Sequence, residues 1–305
     1  MKRKVIQIAN STQLISLPRA WAKRNNVQKG QELDIREDGK TVVITSGDSQ
    51  IIEKAEVDIS SLGDMAQRAI RALYKRGIDE LKVSYSTPEL LVRVQDAINK
   101  DVVGFEILEQ GSNYCIIKNV SGNIEEFDSV LRRTFLLLLS MADESLNAIK
   151  AKDYERLRNI AFLEQANNRF TMICRRSLNK NGNASHNKVG PLYYIVEGME
   201  NIGDQYKYLC NYFDGFGDKN AKIRKEFLGL YEKSNNMVRT FYEIFYKLDE
   251  EKVAGMKKAR NAIVDDVHHL LKKHPTPNES MLLHFSLTIA QQVFNLMGPY
   301  FVLNL

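Results

Sequence analysis

The strongest constraint on the fold is a series of six long amphipathic helical segments in residues 124–305. Apolar side chains recur at helical spacing, and prolines are rare: the 305 residues contain six. The segments form two sets of three with comparable lengths and the same order. The first set spans 124–150, 153–178 and 191–213, and the second spans 220–247, 249–273 and 279–304. This pattern predicts an internal repeat of a three-helix bundle, with corresponding positions 91 to 97 residues apart.

Polar and turn-forming segments separate these helices. The first set contains the loop NKNGNASHNKVGP, the second contains HPTPNES, and DGFGDKN divides the two sets. We therefore place one repeat at 124–214 and the other at 220–305.

Residues 51–120 alternate between strand-like and helical patterns. AEVDIS, DELKVSY, VVGFEILEQ and NYCIIKNV are typical of strands, and two amphipathic helical stretches lie between the first three of them. The order βαβαββ predicts a small α/β module. The module contains no catalytic motif.

Residues 1–47 contain short β-prone runs at 3–8, 14–17, 32–36 and 41–45. PRAWAKRNN, between the second and third runs, predicts one short helix that begins at its proline. So few residues cannot bury much of their own surface. We therefore expect this unit to dimerise in order to complete a core.

The positive charge of the chain is concentrated at its start. The whole chain carries a formal charge of +5, yet residues 1–29 contain seven basic residues and no acidic one. A polyanion such as nucleic acid is the simplest partner for this concentration of charge. A solvated basic surface is the alternative interpretation.

The segment STQLISLPRAWAKRNNVQKGQELDI resembles the AbrB/SpoVT swapped-hairpin DNA-binding domain. It has a short strand, Pro18, a short helix and a turn containing Gly30 in the family's order. The resemblance implies that two chains interlace into one β-barrel whose basic face binds double-stranded DNA. The matching basic positions are Arg3, Lys4, Arg19, Lys23 and Arg24, and Asn10, Ser11 and Thr12 can donate to phosphates or base edges. A barrel used only for dimerisation, or as an antitoxin-like module, is the alternative.

A second resemblance lies in the helical region. VEGMENIGDQYKYL is similar to the final-helix signature of the PhoU phosphate-uptake regulators, which are also built from two three-helix repeats. The likeness covers residues 124–305. The order of the three parts resembles archaeal PhoU-family regulators with an AbrB-like N-terminal domain. It implies a multidomain, mainly α protein that is linked to phosphate homeostasis.

PhoU helices carry paired acids, four residues apart, that can hold metal ions. Glu200 and Asp204 match this pattern in full, and Glu164 matches half of it because Asn168 replaces the second acid. In the second repeat, Asn261, Gln291 and Asn295 stand at the positions predicted to correspond to acids. An amide lacks the negative charge that offsets the cost of desolvating a cation. The resemblance thus allows a single divalent or iron-type ion at Glu164, Glu200 and Asp204; the alternative is a carboxylate pair that is paired with Lys or Arg or that faces water.

Other function classes find little support in the residues. There is no GxSxG, P-loop, HExxH or CxxC pattern, so we do not expect an enzyme. No apolar run is long enough to span a membrane. The three scattered cysteines suit packing in a reduced, cytoplasmic protein. We therefore expect a homodimeric transcription regulator that binds DNA; the alternative is an adaptor that regulates a phosphate transporter by protein contact alone.

Overall fold

The computed structural model describes residues 2–8, 12–38, 41–46, 52–121, 127–181 and 186–304. The chain divides into two compact units, Met1–Ile51 and Ile52–Leu305. Within the described residues, no helix is both long and apolar enough to cross a membrane.

The N-terminal unit consists of two short antiparallel β-pairs and one helix. Strands β1 (Val5–Ile8) and β2 (Thr12–Ile15) pair, helix α1 (Arg19–Arg24) follows, and β3 (Asp34–Asp38) pairs with β4 (Thr41–Thr45). The predicted strands and helix are confirmed. Within the described residues of one chain, these pairs remain two separate two-stranded sheets.

The α/β module has the predicted βαβαββ order. Its elements are β5 (Lys54–Asp58), α2 (Ala66–Arg76), β6 (Glu80–Ser84), α3 (Pro88–Lys100), β7 (Phe105–Gln110) and β8 (Tyr114–Asn119). The sheet order is β5-β6-β8-β7, with β5 parallel to β6 and the other pairs antiparallel. Gly77 caps the carboxyl end of α2, and its φ of +105° is in the left-handed region that favours glycine.

The remaining residues form the predicted helical bundle. Its helices are α4 (Phe127–Ala151), α5 (Tyr154–Asn181), α6 (His186–Gly215), α7 (Lys225–Tyr246), α8 (Glu250–Leu271), α9 (Pro277–Asn295) and α10 (Met297–Asn304). Three of the predicted helices differ clearly from the structure. Helix α7 begins at Lys225 rather than at 220. Helix α6 begins at His186 rather than at 191, so Pro191 lies inside the helix, where it removes one hydrogen bond near the amino end. The predicted last helix divides at Leu296, just before Pro299, which cannot donate to the preceding turn.

The internal repeat is visible in the burial pattern. Every buried position of α7 and α8 lies 96 residues after a buried position of α4 or α5. For α6 the offset is 87 residues: Ile195, Met199, Tyr206 and Phe213 correspond to Leu282, Ser286, Val293 and Tyr300.

The predicted offset of 91 for the last helix is therefore wrong by four residues. Four residues make about one helical turn, so the apolar stripe looks nearly the same in either register. In the observed register Glu200 corresponds to Leu287, Asp204 to Gln291 and Glu164 to Arg260.

Two hydrophobic cores lie in the second unit. One fills the bundle, and the other lies between the sheet of the module and its helices. Met172 of α5 belongs to the core of the module, so that core extends onto the bundle. The three cysteines are buried in these cores, as predicted. Burial raises the pKa of Cys115 to about 11 and those of Cys174 and Cys210 to about 12.

Candidate functional site

The basic residues predicted to bind DNA lie on exposed parts of the N-terminal unit. Arg3 and Lys4 precede β1, Arg19 begins α1, and Lys23 and Arg24 form its last turn; all five are exposed, and we call them the N-terminal basic set. Thr12, the first residue of β2, is exposed as well. Asn10 and Ser11 lie outside the described residues.

Local hydrogen bonds fix both ends of helix α1. Pro18 caps the start of the helix, and its carbonyl accepts from the amide of Ala22 at 2.9 Å. At the other end the side-chain amide of Asn25 donates to the carbonyl of Trp21 at 2.9 Å. Gly30 follows with a φ of +83°, which explains the glycine of the predicted turn. The short helix thus presents Lys23 and Arg24 from a defined backbone.

The N-terminal basic set has no acidic partner among the described residues. The ion pairs that the structure shows in those residues are formed within the second unit. Exposed guanidinium and ammonium groups without neighbouring carboxylates can neutralise phosphates and release the counterions of DNA. The arrangement therefore suits a polyanion.

Apolar side chains of the same unit are exposed as well. Val5, Ile6 and Ile8 of β1 are 60%, 57% and 52% exposed, and Leu14 and Ile15 of β2 are 45% and 53% exposed. In the register of the hairpin Val5 pairs with Ile15 and Ile6 with Leu14, so both faces carry exposed apolar groups. A lone two-stranded hairpin is at best marginally stable in water. These strands therefore require a covering surface.

The acids predicted to bind metal are engaged by basic side chains in the first repeat. Lys207 lies between Glu164 and Asp204, with its Nζ at 2.7 Å and 2.6 Å from their carboxylate oxygens. The amide of Asn168 also donates to Glu164, at 2.6 Å. Burial raises the pKa of Glu164, and the ammonium group of Lys207 opposes this rise. Burial alone would lower the pKa of Lys207, but its hydrogen bonds to Asp204 and Glu164 raise it overall.

Glu200 belongs to a second, separate network. Arg175 is 1% exposed in its side chain and forms ion pairs with Glu197 and Glu200 of α6. Thr171 donates to Glu200 at 3.1 Å and accepts from Arg175 at 3.1 Å. The carboxylate of Glu200 thus has a fixed guanidinium partner.

Gly203 explains how the two helices come close enough for these networks. A Cβ atom at this position would lie 2.5 Å from the side-chain nitrogen of Asn167 on α5. The glycine before Asp204 therefore permits close packing of α5 against α6.

The three predicted metal ligands do not form one cluster. Glu200 faces Arg175, whereas Glu164 and Asp204 face Lys207, so the three acids do not converge. No group of three or more His, Cys, Asp or Glu that could hold an ion occurs among the described residues. The metal site stays a prediction, and it would require displacement of Lys207.

A charged residue that the sequence analysis missed connects the module to the bundle. Arg176 of α5 is fully buried, and its guanidinium donates to the carbonyls of Tyr74 and Ile78 at 2.9 and 2.7 Å. Asp79 accepts from Arg176 at 2.6 Å and from Lys180 at 2.6 Å. Arg176 therefore caps the carboxyl end of α2 from the neighbouring helix.

The guanidinium of Arg176 also lies over the rings of Tyr74 and Phe105, at 4.8 and 5.5 Å from their centroids. The sequence feature that could have revealed this buried charge is the pair Arg175-Arg176, which lies inside a largely apolar stretch, MICRRSL.

Comparisons with known proteins bear on both units. Residues 6–51 match the family model described as antidote-toxin recognition MazE, bacterial antitoxin. This match confirms the resemblance of the N-terminal unit to the MazE/AbrB type. No curated protein matches the chain.

Among solved structures, the chain is similar to the phosphate transport system regulatory protein PhoU from Streptococcus pneumoniae. The identity is 16%, the alignment covers 59% of this chain and 95% of that one, and the TM-score is 0.47. The observed architecture is mainly helical, with a small N-terminal β region and a helical bundle.

Proposed function

We propose that this chain is a cytoplasmic regulator of transcription that binds double-stranded DNA as a homodimer through residues 1–47. Its helical region relays a signal connected with phosphate supply. The observation that carries the proposal is the N-terminal basic set, exposed and without acidic partners among the described residues, on a unit that matches the MazE model.

The dimer is supported by the exposed apolar strands. Residues such as Val5, Ile6 and Ile35 are 60%, 57% and 66% exposed in one chain. Burying one such side chain contributes about 1.5 to 3 kcal/mol. A second copy offers the same strands and can cover both faces by interlacing, which is also how the two separate sheets can join into one barrel. The dimer doubles the basic set.

The connection with phosphate rests on the sequence signature around Glu200 and Asp204 and on the order of the helices. The alternative is an adaptor that regulates a phosphate transporter by protein contact, with the N-terminal unit serving only to dimerise. Lys23 and Arg24 distinguish the two functions, because an adaptor does not need them.

The test is a gel-shift titration of the full chain with the DNA upstream of its own gene. We expect binding that weakens steeply with salt, since each phosphate contact contributes about −0.9 to the logarithmic salt slope. Lys23→Glu combined with Arg24→Glu should weaken binding about 100-fold or more, because repulsion replaces attraction on both subunits. A matched control, Lys257→Glu combined with Lys258→Glu on α8, changes the charge equally and should retain binding.

Absence of binding at low salt, or an equal loss in the control variant, would contradict the proposal. The second measurement is the output of a reporter for regulation of the phosphate transporter in cells that carry each variant. If the Lys23 and Arg24 variant abolishes DNA binding but leaves regulation intact, the adaptor function is the correct one.

A further inference from the structure

A groove lies where the α/β module meets the bundle. Its volume is about 440 Å³, and it is lined by Ala72, Lys75 and Arg76 of α2, Asn179 of α5 and Tyr193 of α6. This volume is within the range of about 300 to 1,000 Å³ that is typical of small-molecule sites. All five residues belong to the second compact unit, so one chain forms the whole groove.

The groove is lined by basic groups that lack acidic partners. Within the part of the chain that the structure describes, the ion pairs at this junction use the neighbouring cations instead: Arg71 with Asp101, Arg175 with Glu197, and Lys180 with Asp79. Lys75 and Arg76 do not take part in them. Their side chains therefore remain available to an anion.

The environment of Lys75 also favours an added negative charge. The ammonium group is partly buried, and its burial together with the nearby guanidinium groups of Arg175, Arg71 and Arg68 lowers the pKa of Lys75. Glu197 opposes this effect only in part. An anion in the groove relieves the repulsion among these cations.

The carboxyl end of α2 works against an anion, because its free carbonyls carry about half a negative charge. In this structure those carbonyls already accept hydrogen bonds from side chains of α5. Arg176 donates to Tyr74 and Ile78, and the amide of Asn179 donates to the carbonyl of Lys75 at 2.7 Å. Arg176 and Lys180 carry two positive charges against the single negative charge of Asp79, and the remaining positive charge exceeds the partial charge of the helix end. The balance at the groove is therefore positive.

We propose that this groove binds a small phosphate-bearing anion. Lys75 and Arg76 supply charged donors for the phosphate, and Asn179 can hydrogen-bond a second polar group. The ring of Tyr193, which is only partly buried, offers a flat apolar surface. The volume allows a mononucleotide as well as inorganic phosphate. The inference stands independently of DNA binding by the N-terminal unit, because the lining residues named above all belong to the second unit.

Calorimetric titration of the full chain with inorganic phosphate, with AMP and with adenosine tests the proposal. We expect phosphate or AMP to bind and adenosine alone to bind at least tenfold more weakly. Tighter binding of AMP than of phosphate, lost in Tyr193→Leu, assigns a nucleotide; equal affinities assign phosphate itself.

Lys75→Met combined with Arg76→Met should raise the dissociation constant at least tenfold, whereas Lys257→Met combined with Lys258→Met should leave it unchanged. Thermal melts of each variant show that it is folded. The proposal is overturned if neither phosphate nor AMP binds at millimolar concentration. It is also overturned if the control variant loses as much affinity, or if the groove variant weakens only DNA binding.

Discussion

The two repeats of the bundle share the same pattern of buried positions but differ in what covers the outer face of their second helix, α5 or α8. In the first repeat the outer face of α5 is covered, since Arg176 and Met172 are buried against the module. In the second repeat, the positions 96 residues later are Lys272 and His268, and both are exposed. Helix α5 has 28 residues and α8 has 22. The comparison shows that the two repeats share their buried positions, and that the extra residues at the end of α5 contact the module.

The largest predicted effect is that of removing Arg176, which only the first repeat buries. Arg176→Met leaves Asp79 and two helix-end carbonyls without their buried partner, which we expect to cost about 3 to 5 kcal/mol in the free energy of unfolding. Lys272→Met changes the corresponding exposed residue of α8 and should cost less than about 0.5 kcal/mol. Urea denaturation of both variants measures the difference. Equal effects would show that the module does not depend on this residue.

The second prediction concerns the start of α9, where the second repeat has its own charged contact. Glu279 accepts from the guanidinium of Arg224 at 2.8 and 2.7 Å and from the amide of Thr276 at 2.9 Å. The hydrogen bonds of Arg224 lower the pKa of Glu279 from 4.5 to about 2. A lowered pKa means that the stabilisation is fully present above about pH 4.5 and is lost as the pH falls through about 2.

Glu279→Gln should therefore reduce the free energy of unfolding by about 2 to 3 kcal/mol at pH 7, and the reduction should disappear near pH 2. Glu226→Gln, which alters an exposed ion pair with Lys273, serves as the control. Thermal melts between pH 2 and 7 provide the measurement. A loss that does not change with pH would contradict the assignment.

The third prediction compares the contact between α5 and α6 with its counterpart in the second repeat. Lys207→Met removes the cation between Glu164 and Asp204 and should cost about 1 to 2 kcal/mol at neutral pH. The cost should shrink at low pH, where Glu164, whose pKa is raised by burial, is protonated, and at high pH, above the raised pKa of Lys207. Stability measured from pH 3 to 11 tests this dependence.

The corresponding pair of the second repeat is Arg260 over the ring of Phe294, at 4.9 Å. Arg260→Met should cost about 0.5 to 1 kcal/mol. This cost should not change across the same pH range, because the ring of Phe294 does not titrate. A marked pH dependence would contradict the assignment of this contact as a cation–π interaction.

Much of this architecture could be predicted from local patterns. Period and turn residues determine the strands, the module order and the repeat. The capping box of Thr276 and Glu279, which starts α9 at Pro277 rather than at 279, follows a known sequence pattern but was missed. The offset of the last helix was misjudged by one turn because the apolar stripe repeats at that interval. The partners of Glu164, Glu200 and Asp204 could not be predicted, since they depend on which cations the folded helices bring near. The role of Arg176 depends on the docking of the module, which periodicity does not reveal.

The buried cysteines have a practical consequence for studying the two units separately. Cys115, Cys174 and Cys210 all lie in the second unit, and burial keeps their thiols protonated at neutral pH. They should therefore react slowly with alkylating reagents while that unit stays folded. A cysteine introduced at an exposed position of the N-terminal unit, such as Ser16, could then carry a fluorophore without removal of the native thiols. The chain is thus already suited to site-specific labelling.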